Sequence, residues 1–188
     1  MIDYREIPGW FPLENETELE RLIADHNVRS VIEIGSFLGK SAVWFAQHKQ
    51  IERVFCVDRW FEFGEAPSNN NLVSTMARWA LPRDFFPMFR DHIWRAGCFD
   101  KVVPIRGASR DVHDLVEPCD LVYIDGDHTY AGVCEDIRLY GPKAMEIICG
   151  DDYAPEFEGV IRGVRDMLYP TVPCHSGRFW WGSEPCRS

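Results

Sequence analysis

Three features that mark large classes of protein are scarce in this chain. No apolar run approaches the roughly 18 residues of a membrane span. Positive charge is in short supply, since 20 Lys and Arg stand against 30 Asp and Glu, for a net charge of -10. Segment 1–10 has neither a basic leader nor an apolar stretch of signal-peptide length. The sequence therefore predicts a cytoplasmic protein that binds neither membranes nor nucleic acids.

Paired cysteines are lacking as well. The chain has seven cysteines, an odd number, and none stands in a CxxC pair or at a repeated spacing. This pattern argues against a disulfide framework and against a thiolate zinc site. We expect reduced thiols, with Cys56 and Cys149 in the core.

What the chain does have is a regular alternation of predicted helices and strands. Its 188 residues, 46% of them hydrophobic, suffice for one core, so we expect a single domain over 1–188. Helical spacing predicts helices over 16–26, 40–49, about 130–140 and 160–168. Continuous β-rich runs predict strands over 30–35, 53–58, 101–107, 120–126, 145–152 and 178–182. This order indicates an α/β, doubly wound, mostly parallel sheet with helices on both faces.

In such sheets ligands bind beyond the carboxyl ends of the strands, where the strand order reverses. Polar residues and glycines stand at these positions. They are Glu33, Gly35, Asp58, Gly107, Ser109, Asp125, Asp151 and Asp152.

The glycine-rich segment 35–41, GSFLGKS, is one residue too short for a phosphate-binding P-loop, and Glu33 adds negative charge beside it. It also fails the G-x-G-x-x-G pattern of dinucleotide sites, because Phe37 stands at the second glycine. This disfavours a nucleoside triphosphate and leaves an NAD-dependent oxidoreductase as a weaker alternative. A ligand with an amine and a sulfonium, such as S-adenosylmethionine (SAM), would suit a carboxylate at this strand end.

The pattern Glu33-x-Gly35-x-x-x-Gly39 resembles the first motif of class I SAM-dependent methyltransferases, and Asp58 ends the next strand, where that family binds ribose. The resemblance implies SAM as cofactor and a seven-stranded sheet. For single residues a turn, a surface carboxylate or, for Trp60, a core position remains open. The implied cofactor contacts are Glu33, Gly35, Ser36, Gly39, Asp58, Arg59, Trp60, Ala108, Ser109 and Asp125.

Three carboxylates, Asp125, Asp151 and Asp152, follow two further strands and should converge on one rim. They would repel one another unless a cation or protons neutralised them. An oxygen-only donor set favours Mg²⁺, Mn²⁺ or Ca²⁺ over zinc. We expect a divalent metal at this rim, with Mg²⁺ as the first choice.

The segments IDGDHTY (124–130) and GDDY (150–153) resemble the metal-dependent O-methyltransferases of the catechol type. Through Asp-x-x-His they are more similar to the macrolide-sugar type related to macrocin O-methyltransferase. The resemblance implies that His128 is the general base and that Asp125, Asp151 and Asp152 bind the metal. The implied activity is metal-assisted methylation of a hydroxyl on a small molecule.

Other interpretations stay open at this point. A non-catalytic SAM- or metal-binding module would keep the same motifs. Asp127 and His128 could cap the helix near Thr129, and Asp152 could begin a turn. The irregular, aromatic region 61–99 is expected to cover the acceptor as a lid, although exposed aromatics equally mark a homodimer surface.

Overall fold

The computed structural model describes residues 1–61, 83–168 and 174–182. In these ranges the α-helices are α1 (Leu13–Asp25), α2 (Lys40–Gln47), α3 (Phe86–Arg95), α4 (Ser109–Val112), α5 (Tyr130–Tyr140) and α6 (Glu158–Leu168). Short 3-10 helices span Tyr4–Glu6, His113–Leu115, Gly141–Lys143 and Pro155–Phe157. The strands are β1 (Ser30–Ile34), β2 (Arg53–Asp58), β3 (Val102–Arg106), β4 (Cys119–Ile124), β5 (Ala144–Gly150), β6 (Cys174–Ser176) and β7 (Phe179–Gly182).

These strands form one seven-stranded sheet in the order β3-β2-β1-β4-β5-β7-β6. Strands β1 to β5 are parallel, β7 is antiparallel to β5, and β6 is antiparallel to β7. The prediction of a mostly parallel, doubly wound sheet is confirmed. Strand β6 was not recognised from the sequence because three residues are too few to show an alternation.

The continuous apolar strands bury side chains on both faces of the sheet. Alternate residues point to opposite faces, so Val31 packs with the helical layer that contains α1, α2 and α3. Its neighbour Ile32 packs with the layer that contains α5 and α6. This two-sided burial is why the strands lack the polar alternation of a sheet with one wet face.

The expected lid region 61–99 is only partly described, and its residues 62–82 lie outside the described residues. In the described part, Phe85 and Phe89 are fully buried in the core beside α2. Trp94 and Phe99 are exposed, and their rings lie 5.0 Å apart. Helix α3 is therefore part of a core layer. In the described ranges we find no helix long and apolar enough to cross a membrane.

The strand order reverses between β1 and β4, and the loops after these two strands touch there. Gly35 has φ +93°, and a Cβ atom at this position would lie 2.0 Å from the carbonyl oxygen of Asp125. Only glycine fits both the left-handed backbone and this close approach. At the point where the strand order reverses, the two loop backbones thus pack too closely for any side chain at position 35.

We expect Gly35→Ala to lower the free energy of unfolding by about 3 kcal/mol or more, because overlap with the Asp125 carbonyl adds to a left-handed backbone. Gly177→Ala is the matched control, since Gly177 has φ +57° but no atom within 4 Å of an added Cβ. It should cost only about 1 kcal/mol. Urea unfolding of both variants measures the difference, and equal losses would contradict the contact.

Candidate functional site

Backbone hydrogen bonds continue beyond the ends of the strands and hold the first residues of the following loops at one rim of the sheet. The N–H of Gly35 donates to Val57 O at 2.9 Å, and the N–H of Asp125 donates to Ile34 O at 2.9 Å. The N–H of Asp151 donates to Ile124 O at 3.2 Å. The residues that follow β1, β4 and β5 are therefore neighbours in space, as the sequence predicted.

The glycine loop is fixed to β2 by Asp58. One carboxylate oxygen of Asp58 accepts from the N–H of Phe37 at 2.8 Å, and the other accepts from the N–H of Trp60 at 2.7 Å. Phe37 has φ +45° and its carbonyl accepts from Trp60 Nε1 at 2.7 Å. Gly39, with φ +91°, is the N-cap of α2. Asp58 thus organises this loop through backbone N–H groups, to which Arg59 adds a third donor.

The neighbours of Asp58 have contrasting positions. Arg59 is exposed at the rim. Trp60 is fully buried, and its ring centroid lies 4.5 Å from that of Phe89 and 4.8 Å from that of Phe86. Core packing therefore accounts for the Trp60 side chain, and a role of its ring in binding a cofactor stays a prediction.

Glu33 is the most unusual charge at the rim. It is fully buried on β1, and neither of its carboxylate oxygens makes a well-angled hydrogen bond to a described residue, although Ser36, Ser41 and Cys56 lie close to it. Burial raises the pKa of Glu33, and the nearby Ser36 and Ser41 offset only part of this effect. The Oγ of the buried Ser36 likewise makes no well-angled hydrogen bond to a described residue. Such groups are costly in a folded protein unless a ligand meets them.

A buried carboxylate that the sequence analysis missed lies beside the β3 loop. Asp136 on α5 is 3% exposed, and its recorded side-chain partner is Ser109. Burial raises the pKa of Asp136 to about 6. Tyr140, one turn further on, donates its hydroxyl to Ser109 O at 2.8 Å. Ala108 is the residue before α4, so α5 holds the predicted cofactor-binding segment at Ala108 and Ser109.

The signal for Asp136 is present in the sequence. Val133, Asp136, Ile137 and Tyr140 have the i, i+3, i+4, i+7 spacing of one helix face, and all four are buried. Acidic residues are rarely buried without a partner, so an acidic residue on the apolar face of a helix indicates a structural or functional role.

His128 lies between two of the predicted metal ligands. Its Nε2 is 3.1 Å from an oxygen of Asp152 and 3.6 Å from an oxygen of Asp125. Nε2 is shielded from water and makes no well-angled hydrogen bond to a described residue. Burial lowers the pKa of His128, but Asp125 and Asp152 outweigh burial and raise the pKa. Burial raises the pKa of Asp125 to about 6.

The donor atoms that come together are not the set predicted from the sequence. One atom each of Asp125, His128 and Asp152 lies within 4.8 Å of the others. Asp151 is outside this group, because its Oδ1 accepts the N–H of Asp152 at 2.7 Å. Burial and the charge of Asp125 raise the pKa of Asp151 to about 7. The third potential ligand atom of this group is thus an imidazole nitrogen, where the sequence predicted a carboxylate oxygen.

Arg178, which sequence reasoning did not assign to the site, completes the cluster. It lies in the turn before β7, and its guanidinium pairs with the second oxygen of Asp152. Asp152 itself has φ +62°. Phe157 packs against both partners of Asp152, with its ring centroid 4.9 Å from that of His128 and 5.0 Å from the Arg178 Cζ. The turn interpretation of Asp152 is therefore incomplete.

Neither Asp127 nor His128 is the N-cap of α5. Asp127 Oδ1 accepts the N–H of Thr129 at 2.8 Å, and Thr129 Oγ1 accepts the N–H of Gly132 at 3.1 Å. Thr129 is thus the N-cap of α5. The His128 side chain turns instead to Asp125 and Asp152.

Likeness to solved structures agrees with this architecture. A precorrin 8W decarboxylase from Methanobacterium thermoautotrophicum shares 16% identity with a TM-score of 0.62, covering 97% of this chain and 96% of that one. An O-methyltransferase of tomaymycin synthesis from Streptomyces achromogenes, solved with SAM, shares 16% with a TM-score of 0.61, covering 92% and 79%. An O-methyltransferase from Bacillus cereus in complex with SAH shares 18% with a TM-score of 0.58, covering 94% and 83%. At these identities the likeness shows the fold alone.

The sheet order and its reversal between β1 and β4 define a Rossmann-like α/β fold. A family model described as a methyltransferase domain matches residues 32–153, more than half of the chain, from β1 to the end of the carboxylate cluster. The chain belongs to this methyltransferase family. No curated protein matches it.

We expect Asp136→Asn to change the pH dependence of stability. The unfolded chain releases the Asp136 proton near pH 3.8 and the folded protein near 6, so ionisation disfavours the folded state progressively as pH rises through this window. Relative to wild type, Asp136→Asn should gain about 2 kcal/mol between pH 4 and pH 7.5. Urea unfolding at both pH values measures this gain. The exposed Asp111→Asn on α4 is the control, and a pH-independent difference for Asp136→Asn would contradict the assignment.

Proposed function

We propose that this protein is a SAM-dependent methyltransferase that methylates a hydroxyl oxygen of a small molecule, with His128 as general base. The observation that carries the proposal is a pair of facing features at one rim. Glu33, a buried carboxylate without a positively charged partner or a well-angled hydrogen bond among the described residues, lies near the end of β1, and an imidazole held by Asp125 and Asp152 follows β4. The first feature suits a cationic cofactor, and the second suits removal of a proton.

The residues at the glycine loop fit SAM chemically. Glu33 is a buried carboxylate that makes no well-angled hydrogen bond to a described residue, which suits the amine and the positive charge of this ligand. Ser36 lies beside Glu33, and the Asp58 carboxylate can accept a further hydrogen bond from a ribose hydroxyl. Gly35 and Gly39 allow the left-handed backbone that this tight loop requires. A pyrophosphate would instead meet Glu33 and the side chain of Phe37.

Bound SAM supplies an electrophilic methyl group on a sulfonium. The protein must then remove the proton of a hydroxyl, which is a poor nucleophile while protonated. Nε2 of His128 pairs with Asp152 and Asp125. Because carboxylates only accept, Nε2 carries a proton, and Nδ1 is the nitrogen whose lone pair would take the proton of the acceptor. The two carboxylates stabilise the ring once both nitrogens are protonated. Such an imidazole is a stronger base than free histidine, at the cost of a smaller neutral fraction at pH 7. The bound geometry of the two reactants supplies much of the remaining rate enhancement.

Oxygen as the acceptor atom is supported by His128 and by the names of two structural neighbours, which are O-methyltransferases. The family match supports methyl transfer in place of the oxidoreductase alternative. A non-catalytic SAM-binding module would have no use for the pairing of His128 with Asp152, which favours the enzyme.

We expect calorimetric titration to show saturable binding of SAM and SAH, with no binding of NAD⁺ or ATP. Glu33→Gln should weaken SAM binding by about tenfold or more, since it removes a charged acceptor. The same variant should be more stable than wild type without ligand, because it no longer buries a carboxylate without a positively charged partner. Glu146→Gln, at the start of β5 on the opposite edge, should leave both quantities unchanged. Binding of NAD⁺ in place of SAM would overturn the proposed function.

We expect His128→Ala to lower the turnover number on a hydroxyl acceptor by about 10²-fold or more, the usual loss on removing a general base. SAM affinity should change little. His26→Ala is the matched control, because His26 is similarly half-buried and pairs with Glu146 at 3.9 Å on the far edge of the sheet. A SAM-dependent product assay across hydroxylated acceptors measures both variants, and unchanged turnover in His128→Ala would refute the base.

A further inference from the structure

Arg178 brings a permanent positive charge to the carboxylate cluster from a distant part of the chain. It precedes β7. In the pairing of β7 with β5, Trp181 lies opposite Cys149 and Trp180 lies opposite Gly150, directly before the cluster. Trp180 is buried, and its Nε1 donates to the carbonyl of Asp151 at 3.2 Å. The hairpin therefore holds Arg178 against Asp152 by strand pairing and by the buried indole.

The predicted divalent metal fits the observed residues poorly. A hard ion such as Mg²⁺ prefers oxygen ligands in number, and it keeps near-octahedral geometry. Here the Asp152 carboxylate is shared between Arg178 and His128, and Asp151 Oδ1 is occupied by a backbone N–H. The third donor of the group is the Nε2 nitrogen of His128. If Nε2 bound a metal, the neutral ring would carry its proton on Nδ1, and His128 could not take a proton from an acceptor.

We infer that Arg178 takes the place of the divalent metal as the counter-cation of this site, and that it positions Asp152 and, through it, His128. This inference rests on the proposed function for its chemical meaning. The guanidinium and the imidazole occupy the two oxygens of one carboxylate, so Asp152 links a fixed cation to the base. The positive charge that metal-dependent relatives are expected to draw from an ion is here covalently part of the chain.

Packing supports this positioning role. The Phe157 ring lies against both the His128 ring and the Arg178 guanidinium, so that it restricts both partners of Asp152. The left-handed backbone of Asp152, at φ +62°, is a conformation that costs energy and aims its carboxylate between them. Arg178 is a positioning residue, because the contacts above run through Asp152.

Titration with Mn²⁺, followed by calorimetry, tests the inference without an acceptor. Wild type should show no saturable binding below millimolar Mn²⁺. Arg178→Gln removes the competing charge and should bind Mn²⁺ about tenfold or more tightly than wild type. Adding Asp152→Asn to Arg178→Gln should abolish that gain. Arg178→Lys keeps the charge and should behave as wild type, which a purely structural role of the guanidinium would not predict.

The matched control is Arg165→Gln, since Arg165 lies on α6 nearby and donates from Nε to the Tyr153 hydroxyl at 3.0 Å without contacting Asp152. It should leave Mn²⁺ binding unchanged. Micromolar Mn²⁺ binding by wild type that is lost in Asp152→Asn would overturn the inference, as would an absent gain in a folded Arg178→Gln. SAM titration of the same wild-type sample separates the two proposals. Absence of SAM binding by wild type would refute the proposed function, whereas the Mn²⁺ titrations test only the inference about Arg178.

Discussion

Burial of negative charge at one edge of the sheet is the constraint on which the candidate site depends. Neighbouring parallel strands end side by side, so acidic residues that end or follow them must share one rim. Five carboxylates are placed there by β1, β2, β4 and β5, and Glu33, Asp151 and Asp152 are buried. Burial is the largest cause of the raised pKa values of Glu33, Asp58, Asp125 and Asp151. Each carboxylate must find a partner or remain destabilising in the ligand-free protein.

The way each carboxylate is met separates structural roles from ligand-binding ones. Asp58 accepts from backbone N–H groups, among them those of Phe37 and Trp60, and fixes the glycine loop. Asp152 is met by Arg178 and His128, so its charge is balanced inside the protein. Glu33 has neither a positively charged partner nor a well-angled hydrogen bond among the described residues. A buried charged group that destabilises the ligand-free protein can be retained at a functional site because the ligand supplies its missing partner. Glu33 is therefore the residue that supports a cationic ligand most directly.

The sequence was sufficient for the fold because strands such as 53–58 and the helix 130–140 carry strong local patterns, and the structure places both within those bounds. It was also sufficient for the rim, since strand ends converge in any parallel sheet. It could not reveal Arg178, because a turn residue reaches Asp152 only through the antiparallel pairing of β7 with β5, which has no local signature. Nor could it show that His128, three residues after Asp125, would stand where Asp151 was expected.

The position of His128 makes two predicted roles mutually exclusive. If Nε2 bound a metal ion, the neutral ring would carry its proton on Nδ1 and could not act as a base. If Nε2 instead keeps a proton and pairs with Asp152, Nδ1 has the lone pair that a base needs. The sequence resemblance assigned the metal to three aspartates and so left the base free. In the structure Asp151 lies outside the group formed by Asp125, His128 and Asp152, and its Oδ1 accepts the N–H of Asp152. In the proposed arrangement Arg178 removes the conflict, because a cation that cannot bind Nε2 balances Asp152 and leaves Nε2 protonated.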